Sequence, residues 1–204
     1  MTEQYYTADP TCESRPASCA LNYRGHALRF ITDAGVFSRG EVDQGTRLLL
    51  DALPELSGDV LDLGCGWGAI GVSVAKAYPA CRVTMVDVNH RALALCEENA
   101  RAAGVTVSCM ESDGMTSVME RRFDCIITNP PIRAGKQTIY RMFADAAACL
   151  KEGGTLYLVI RKQQGAESCM KYLRTLYAQV DKVAKSAGFW VLRAMQPLPG
   201  KADA

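Results

Sequence analysis

From Asp59 onward short apolar runs alternate with helical patterns, and this alternation limits the fold more than any other feature of the chain. The run "DVLDLG" (Asp59–Gly64) leads into a helical stretch over Ala69–Tyr78 that Pro79 closes. Then "RVTMVDV" (Arg82–Val88) leads into "HRALALCEENARAA", with Asn89 placed as N-cap and Gly104 just past the end. Strands "VTVSCM" (Val105–Met110) and "FDCIIT" (Phe123–Thr128) follow, and a helix is predicted over Gln137–Leu150, stopped by Gly153-Gly154. Strand "TLYLVIR", a helix over Ala166–Tyr177 and strands near Val180–Lys185 and Phe189–Met195 complete the pattern. Strands joined through helices form a mostly parallel sheet covered on both faces. Right-handed crossovers then bring the strands' C-terminal ends to one edge, where open α/β sheets bind ligands.

Upstream, "CALNYRGHALRFIT" (Cys19–Thr32) reads as two strands around a turn near Arg24-Gly25. "EVDQGTRLLLDAL" (Glu41–Leu53) reads as a helix stopped by Pro54, and residues 1–18 as an extended arm. On this reading residues 1–40 are an arm and hairpin, and 41–204 the main domain. The start lacks a basic segment with an apolar run, and no stretch approaches the roughly 18 apolar residues of a membrane span, so a soluble, cytoplasmic protein is expected. Nine scattered cysteines without a Cys-x-x-Cys pair point to reduced thiols. Two histidines leave little for metal or triad chemistry, so no metal is expected.

The sheet edge carries four ligand-shaped strand ends. In "DLGCGWGAIG", Gly64, Gly66 and Gly68 let the backbone approach a ligand, and the helix that follows offers free N–H groups. The next strand ends in Asp87, whose carboxylate suits the two hydroxyls of a ribose. Asp113, in "ESDGM", is positioned to meet a nucleobase edge, although Asp113-Gly114 alone reads as a turn. The fourth end is "IITNPPIRAG". Pro130 and Pro131 fix φ and keep the preceding residues extended, so the Asn129 carboxamide and the Pro130 carbonyl become two oriented acceptors. Two such acceptors match the two N–H donors of one amino group, and drawing on both turns a conjugated nitrogen into a better nucleophile without a titrating base.

Together, "LDLGCGWGAIG", the strand ending in Asp87 and "FDCIITNPPIRAGK" resemble the class I S-adenosylmethionine-dependent methyltransferases. More narrowly the chain is similar to the "methyltransferase small" family, whose best-known members methylate the guanine 2-amino group of ribosomal RNA. "YYTADPTCESRP", "GVFSRGEVDQGTRLLL" and "VIRKQQGA" resemble its single-domain members, so the likeness covers nearly the whole chain. It implies a Rossmann-like, seven-stranded α/β domain with an N-terminal β-hairpin extension, and S-adenosyl-L-methionine as cofactor. It further implies that Asp62, Gly64, Gly66 and Gly68 hold the methionyl part, Asp87 the ribose and Asp113 the adenine amine, with Gly45 and Thr46 at the methionine end. Asn129 and Pro130 would take the substrate amine, followed by Pro131 and Ile132. Ile132 stands where many amino-methylating relatives carry an aromatic residue that stacks on the target base.

Net charge is uneven: residues 1–124 carry 11 basic and 17 acidic side chains, giving −6, and residues 125–204 carry 12 and 5, giving +7. Arg133, Lys136, Arg161 and Lys162 fall at the same edge as Asn129, a cationic rim suited to ribosomal RNA or a partly assembled ribosomal subunit. Alternatives that keep the chemistry are a protein glutamine amide, the adenine 6-amino group or a small metabolite. A non-catalytic RNA-binding assembly factor changes the class, as does a nicotinamide-dependent oxidoreductase, in which Asp62 and the Asn-Pro-Pro strand end would have no role.

Overall fold

The computed structural model describes residues 7–199, so the first six residues of the expected arm lie outside it. Strands β1 (Ala17–Tyr23) and β2 (His26–Thr32) pair antiparallel from Ala17↔Thr32 to Tyr23↔His26. Their two-residue turn has φ of 49° at Arg24 and 83° at Gly25, the doubly left-handed conformation that matches the twist of a hairpin. Helix α1 covers Gln44–Ala52, later than the Glu41 start expected from its apolar period. Asp43 is the reason. At φ −55° and ψ 145° it stands outside the helix and its carboxylate accepts from Thr46 N. At the other end Leu53 is extended ahead of Pro54.

The main sheet comprises β3 (Gly58–Leu63), β4 (Cys81–Asp87), β5 (Ser108–Glu111), β6 (Phe123–Thr128), β7 (Leu150–Arg161), β8 (Tyr177–Ser186) and β9 (Phe189–Pro197). Their order is β5-β4-β3-β6-β7-β9-β8, and only β9, antiparallel to both β7 and β8, runs against the rest. Helices α2 (Ala69–Ala77) and α3 (His90–Ala103) cover one face with α1, and α4 (Lys136–Cys149) and α5 (Ala166–Leu176) cover the other. Among the described residues no helix is long and apolar enough to cross a membrane.

Two expected boundaries move for local reasons. Gly153-Gly154 does not stop α4, because the chain is already extended at Leu150 and β7 runs through both glycines. A Cβ on Gly154 would lie 2.9 Å from the Phe123 and Lys151 carbonyl oxygens, so this glycine permits close strand approach. Strand β5 begins at Ser108 rather than Val105, since Val105 N is used to close α3 through Ala100 O beyond left-handed Gly104.

The hairpin shares the core beneath α1–α3. Leu21, Tyr23, Leu28 and Phe30 are buried in the same cluster as Trp67 and Ile70. Asn99 of α3 fixes it further, accepting from Ile31 N at 2.7 Å and donating to Ile31 O at 2.9 Å and Trp67 O at 2.8 Å. From β3 the chain builds outward through β4 to β5, then returns to place β6 on the other side of β3. That reversal opens a crevice at the C-terminal ends of β3 and β6, the position where doubly wound sheets accept ligands.

A candidate active site at the β3–β6 crevice

A cavity of about 310 Å³ fills the crevice. Its floor is the turn after β3. Gly64 N and Cys65 N both donate to Val86 O at 2.9 Å, and Gly66 N donates to Asp87 Oδ2 at 2.8 Å. A Cβ built on Gly64 or Gly66 would meet no atom within 4 Å, so both open onto free space along the cavity wall. Gly68 acts differently. A Cβ there would come within 3.0 Å of Cys96 Sγ and 3.1 Å of Val72, so this glycine seats the start of α2 against the core.

Asp87 lines the cavity and also accepts from Asn89 N at 2.9 Å; burial raises its pKa. Asp62 lies behind the wall. Its Oδ2 accepts from Gly71 N at 2.8 Å, while the buried Oδ1 has no hydrogen-bond partner among the described residues. Burial pushes this carboxyl up to about 7. The folded protein therefore keeps a proton between about pH 4 and 7 that the unfolded chain releases, so Asp62 makes stability fall as pH rises through that window. Thermal melts of wild type and Asp62→Asn between pH 5 and 8 are expected to differ in slope, by about 1.4 kcal/mol per pH unit at most, below pH 7 and to run parallel above it. Parallel curves throughout would show that Asp62 is ionised when folded.

Asn129 sits where β6 ends, and Thr128 Oγ1 ties that end to Leu63 O at 2.7 Å, binding the two walls together. The Asn129 Nδ2 donates to Asp43 Oδ2 at 3.1 Å and to Thr46 Oγ1 at 3.0 Å. An ionised carboxylate only accepts, so Asp43 determines which way the carboxamide faces. Asn129 Oδ1 and the Pro130 carbonyl accept no hydrogen bond from the described residues, and both residues line the cavity with Pro131. Asp43 is a site residue that apolar periodicity hides, because that period runs α1 straight through it. Its signal is the Asp-x-x-Thr spacing of an N-cap.

Over the mouth runs the segment between β2 and α1. Phe37 and Ser38 line the cavity, and Trp67 Nε1 holds the Phe37 carbonyl at 2.7 Å. Ser112, Asp113 and Gly114 form the far wall, where the Asp113 carboxylate meets Arg141 at 3.0 Å. Asp43, Asp87 and Asp113 are the charged lining residues among the described ones; no lysine, arginine or histidine joins them. Such a cavity favours a cation and disfavours a pyrophosphate.

Two expected contacts fall elsewhere. Gly45 packs on Phe189, whose ring would lie 2.8 Å from an added Cβ, while Thr46 alone of that pair lines the cavity. Ile132 begins a short 3-10 turn, Ile132–Ala134, that carries it to a second cavity on the other side of the loop. Arg133, Lys136, Arg161 and Lys162 are all exposed, with Lys136 Nζ 5.1 Å from the Tyr140 ring centre and the Arg161 guanidinium 4.5 Å from that of Phe189.

Comparison with known proteins gives this arrangement relatives. The profile of the methyltransferase small domain matches residues 27–193. The Bacillus subtilis protein YbxB is 41% identical over 198 residues, 95% of this chain and 98% of that one. Ribosomal RNA small subunit methyltransferase C of Vibrio cholerae is 36% identical over 184 residues, 87% of this chain and 52% of that one. A 16S rRNA N2 methyltransferase of T. thermophilus, solved with AdoMet and guanosine, superposes with a TM-score of 0.81 at 28% identity, over 92% of this chain and 52% of that one. The chain thus spans about half the length of the ribosomal RNA methyltransferases it matches.

Proposed function

Because the chain belongs to the methyltransferase small domain family, whose cofactor is S-adenosylmethionine, we propose that it methylates an exocyclic amine of RNA, the 2-amino group of a guanine in ribosomal RNA. The observation that carries this reading is the Asn129 carboxamide, turned by Asp43 so that its oxygen stands free at the same cavity as Gly64 and Gly66.

The crevice fits the cofactor on its own terms. Asp43 and Asp87, with Asp113 already paired to Arg141 and no basic side chain in the lining, suit a molecule bearing a sulfonium and an ammonium group. The open space beside Gly64 and Gly66 admits the methionyl part close to the backbone, with Asp62 bracing the turn from behind and Gly68 starting α2. Asp87, with lone pairs beyond those given to Gly66 and Asn89, takes the ribose hydroxyls, and Asp113 faces the adenine amine. When bound there, S-adenosylmethionine supplies an electrophilic methyl group on sulfur.

Asn129 Oδ1 and the Pro130 carbonyl receive the two hydrogens of the substrate amine and hold its nitrogen lone pair toward the methyl carbon. With the cofactor bound, the amine would exchange one N–H for the methyl group, the demethylated thioether would leave, and the released proton would pass to solvent. Pro131 stiffens the grip. Phe37 and Ser38, near the end of the 1–40 segment, cover this crevice, and the domain of residues 41–204 carries the reaction.

RNA or a ribosomal subunit approaches over the exposed rim of Arg133, Lys136, Arg161 and Lys162. Reversing Arg133 and Lys136 to Glu is expected to weaken RNA binding and lower the slope of log affinity against log salt by about 1.4, two phosphate contacts' worth for a single strand. An unchanged slope in a salt titration would remove the rim from the interface. The reading as a whole is tested by comparing modified nucleosides of ribosomal RNA from cells with and without the gene: one N2-methylguanosine is expected to disappear.

A further inference from the structure

The loop that carries Asn129 has a cavity on each side. Pro130, Pro131 and Ala134 face the crevice, whereas Ile132 helps line a second cavity of about 280 Å³ between α4, the end of β7 and the start of α5. Ile132, Ile139 and Ile160 make its apolar surface, with buried Cys169 beside them. Tyr140 forms an aromatic wall, held rigid by stacking on Tyr172 at 3.9 Å between ring centres and 6° between planes. Three side chains at this cavity stand ready for polar work. Lys136 leans over Tyr140, and neither the Gln164 carboxamide nor the Ser168 hydroxyl has a hydrogen-bond partner among the described residues. Lys136 is the charged residue of the lining; Arg133 precedes it by three positions, Arg161 and Lys162 fall between lining residues Ile160 and Gln164, and Glu167 is the acid of the first α5 turn.

We propose that this second cavity receives the base of the nucleotide next to the one methylated, with Lys136 at the intervening phosphate. The assignment rests on the RNA reading above and adds to it a second recognition point. A flat ring with hydrogen-bonding edges fits here: isoleucine and tyrosine walls accept its faces, and a free carboxamide, donor and acceptor at once, can read its edge. The phosphate that every nucleotide brings answers the positive charge of Lys136. Neighbouring residues of one loop wall the two cavities, Pro131 on one side and Ile132 on the other, so consecutive nucleotides can straddle it. Substrate selection would then extend beyond the modified base itself. Ile132 acts here as a wall for the neighbour rather than as a platform for the target.

The test is equilibrium binding of guanosine and of the RNA trinucleotide AGA to the full-length protein, with S-adenosylmethionine affinity measured in parallel. Wild type is expected to bind the trinucleotide at least about tenfold more tightly than guanosine. Ser168→Trp fills the cavity from an exposed position on α5 and is expected to erase most of that gain; Gln164→Ala should reduce it about threefold. Neither should alter affinity for guanosine or S-adenosylmethionine. A full gain retained in both variants overturns the second-nucleotide assignment and leaves the methylation reading standing, as does a wild type that binds the trinucleotide no better than guanosine. If wild type binds S-adenosylmethionine but neither RNA probe, both readings fall together.

Discussion

Asn129→Ala is expected to lower the turnover number about a hundred- to a thousandfold, the usual cost of removing one oriented polar group from a preorganised transition-state contact. Cofactor affinity should stay within about twofold, because the carboxamide oxygen is directed at the substrate amine and the described hydrogen bonds of this side chain go to Asp43 and Thr46. Single-turnover transfer of a labelled methyl group, with calorimetry for cofactor binding, separates the two quantities. Equal losses in both would mean that Asn129 shapes the cofactor crevice and does not grip the amine. Asp43 supplies a second arm. Asp43→Ala releases the carboxamide to rotate and should cost roughly tenfold in turnover, along with about 1 kcal/mol of stability from the lost α1 cap. Asp43→Asn keeps an acceptor for Asn129 Nδ2 and should recover most of the activity.

Asp87→Ala is expected to raise the dissociation constant for S-adenosylmethionine about a hundredfold. Two effects combine. Charge-assisted hydrogen bonds to a ribose are lost, each on the order of 1.5–3 kcal/mol. In addition, Gly66 N and Asn89 N lose their acceptor, so the turn after β3 keeps only its bonds to Val86 O at the end of β4. Asp87→Asn keeps one acceptor oxygen and should lose less. Titration calorimetry at a fixed pH gives the comparison directly. An Asp87→Ala affinity within threefold of wild type would remove the carboxylate from the cofactor site.

Much of this architecture is readable from the chain because local signals and global topology agree. The alternation after Asp59, the caps at Asn89 and Gly104, and the strands that end at Asp87 and Thr128 all appear in the structure. What escapes depends on contacts distant in sequence. Nothing local to Gly45 announces Phe189, 144 positions on, as its neighbour. Gly153-Gly154 resembles a helix stop, yet Gly154 answers to the Phe123 carbonyl of a neighbouring strand. Ile132 cannot be assigned a side from "NPPIRAG", because a single 3-10 turn decides which cavity it enters. Asp43 is obscured for a nearer reason: apolar periodicity runs the helix through it, although an aspartate three residues before a threonine is a starting signal.

The amide of Asn99 works as a rivet. It satisfies both backbone groups of Ile31 and the carbonyl of Trp67, so hairpin and glycine turn cannot part without stranding three polar groups, at a cost of about 1–3 kcal/mol apiece. The hairpin therefore does not swing away from the glycine turn. Trp67 extends that rigidity to the mouth, because its indole N–H holds the Phe37 carbonyl while its own carbonyl is held by Asn99.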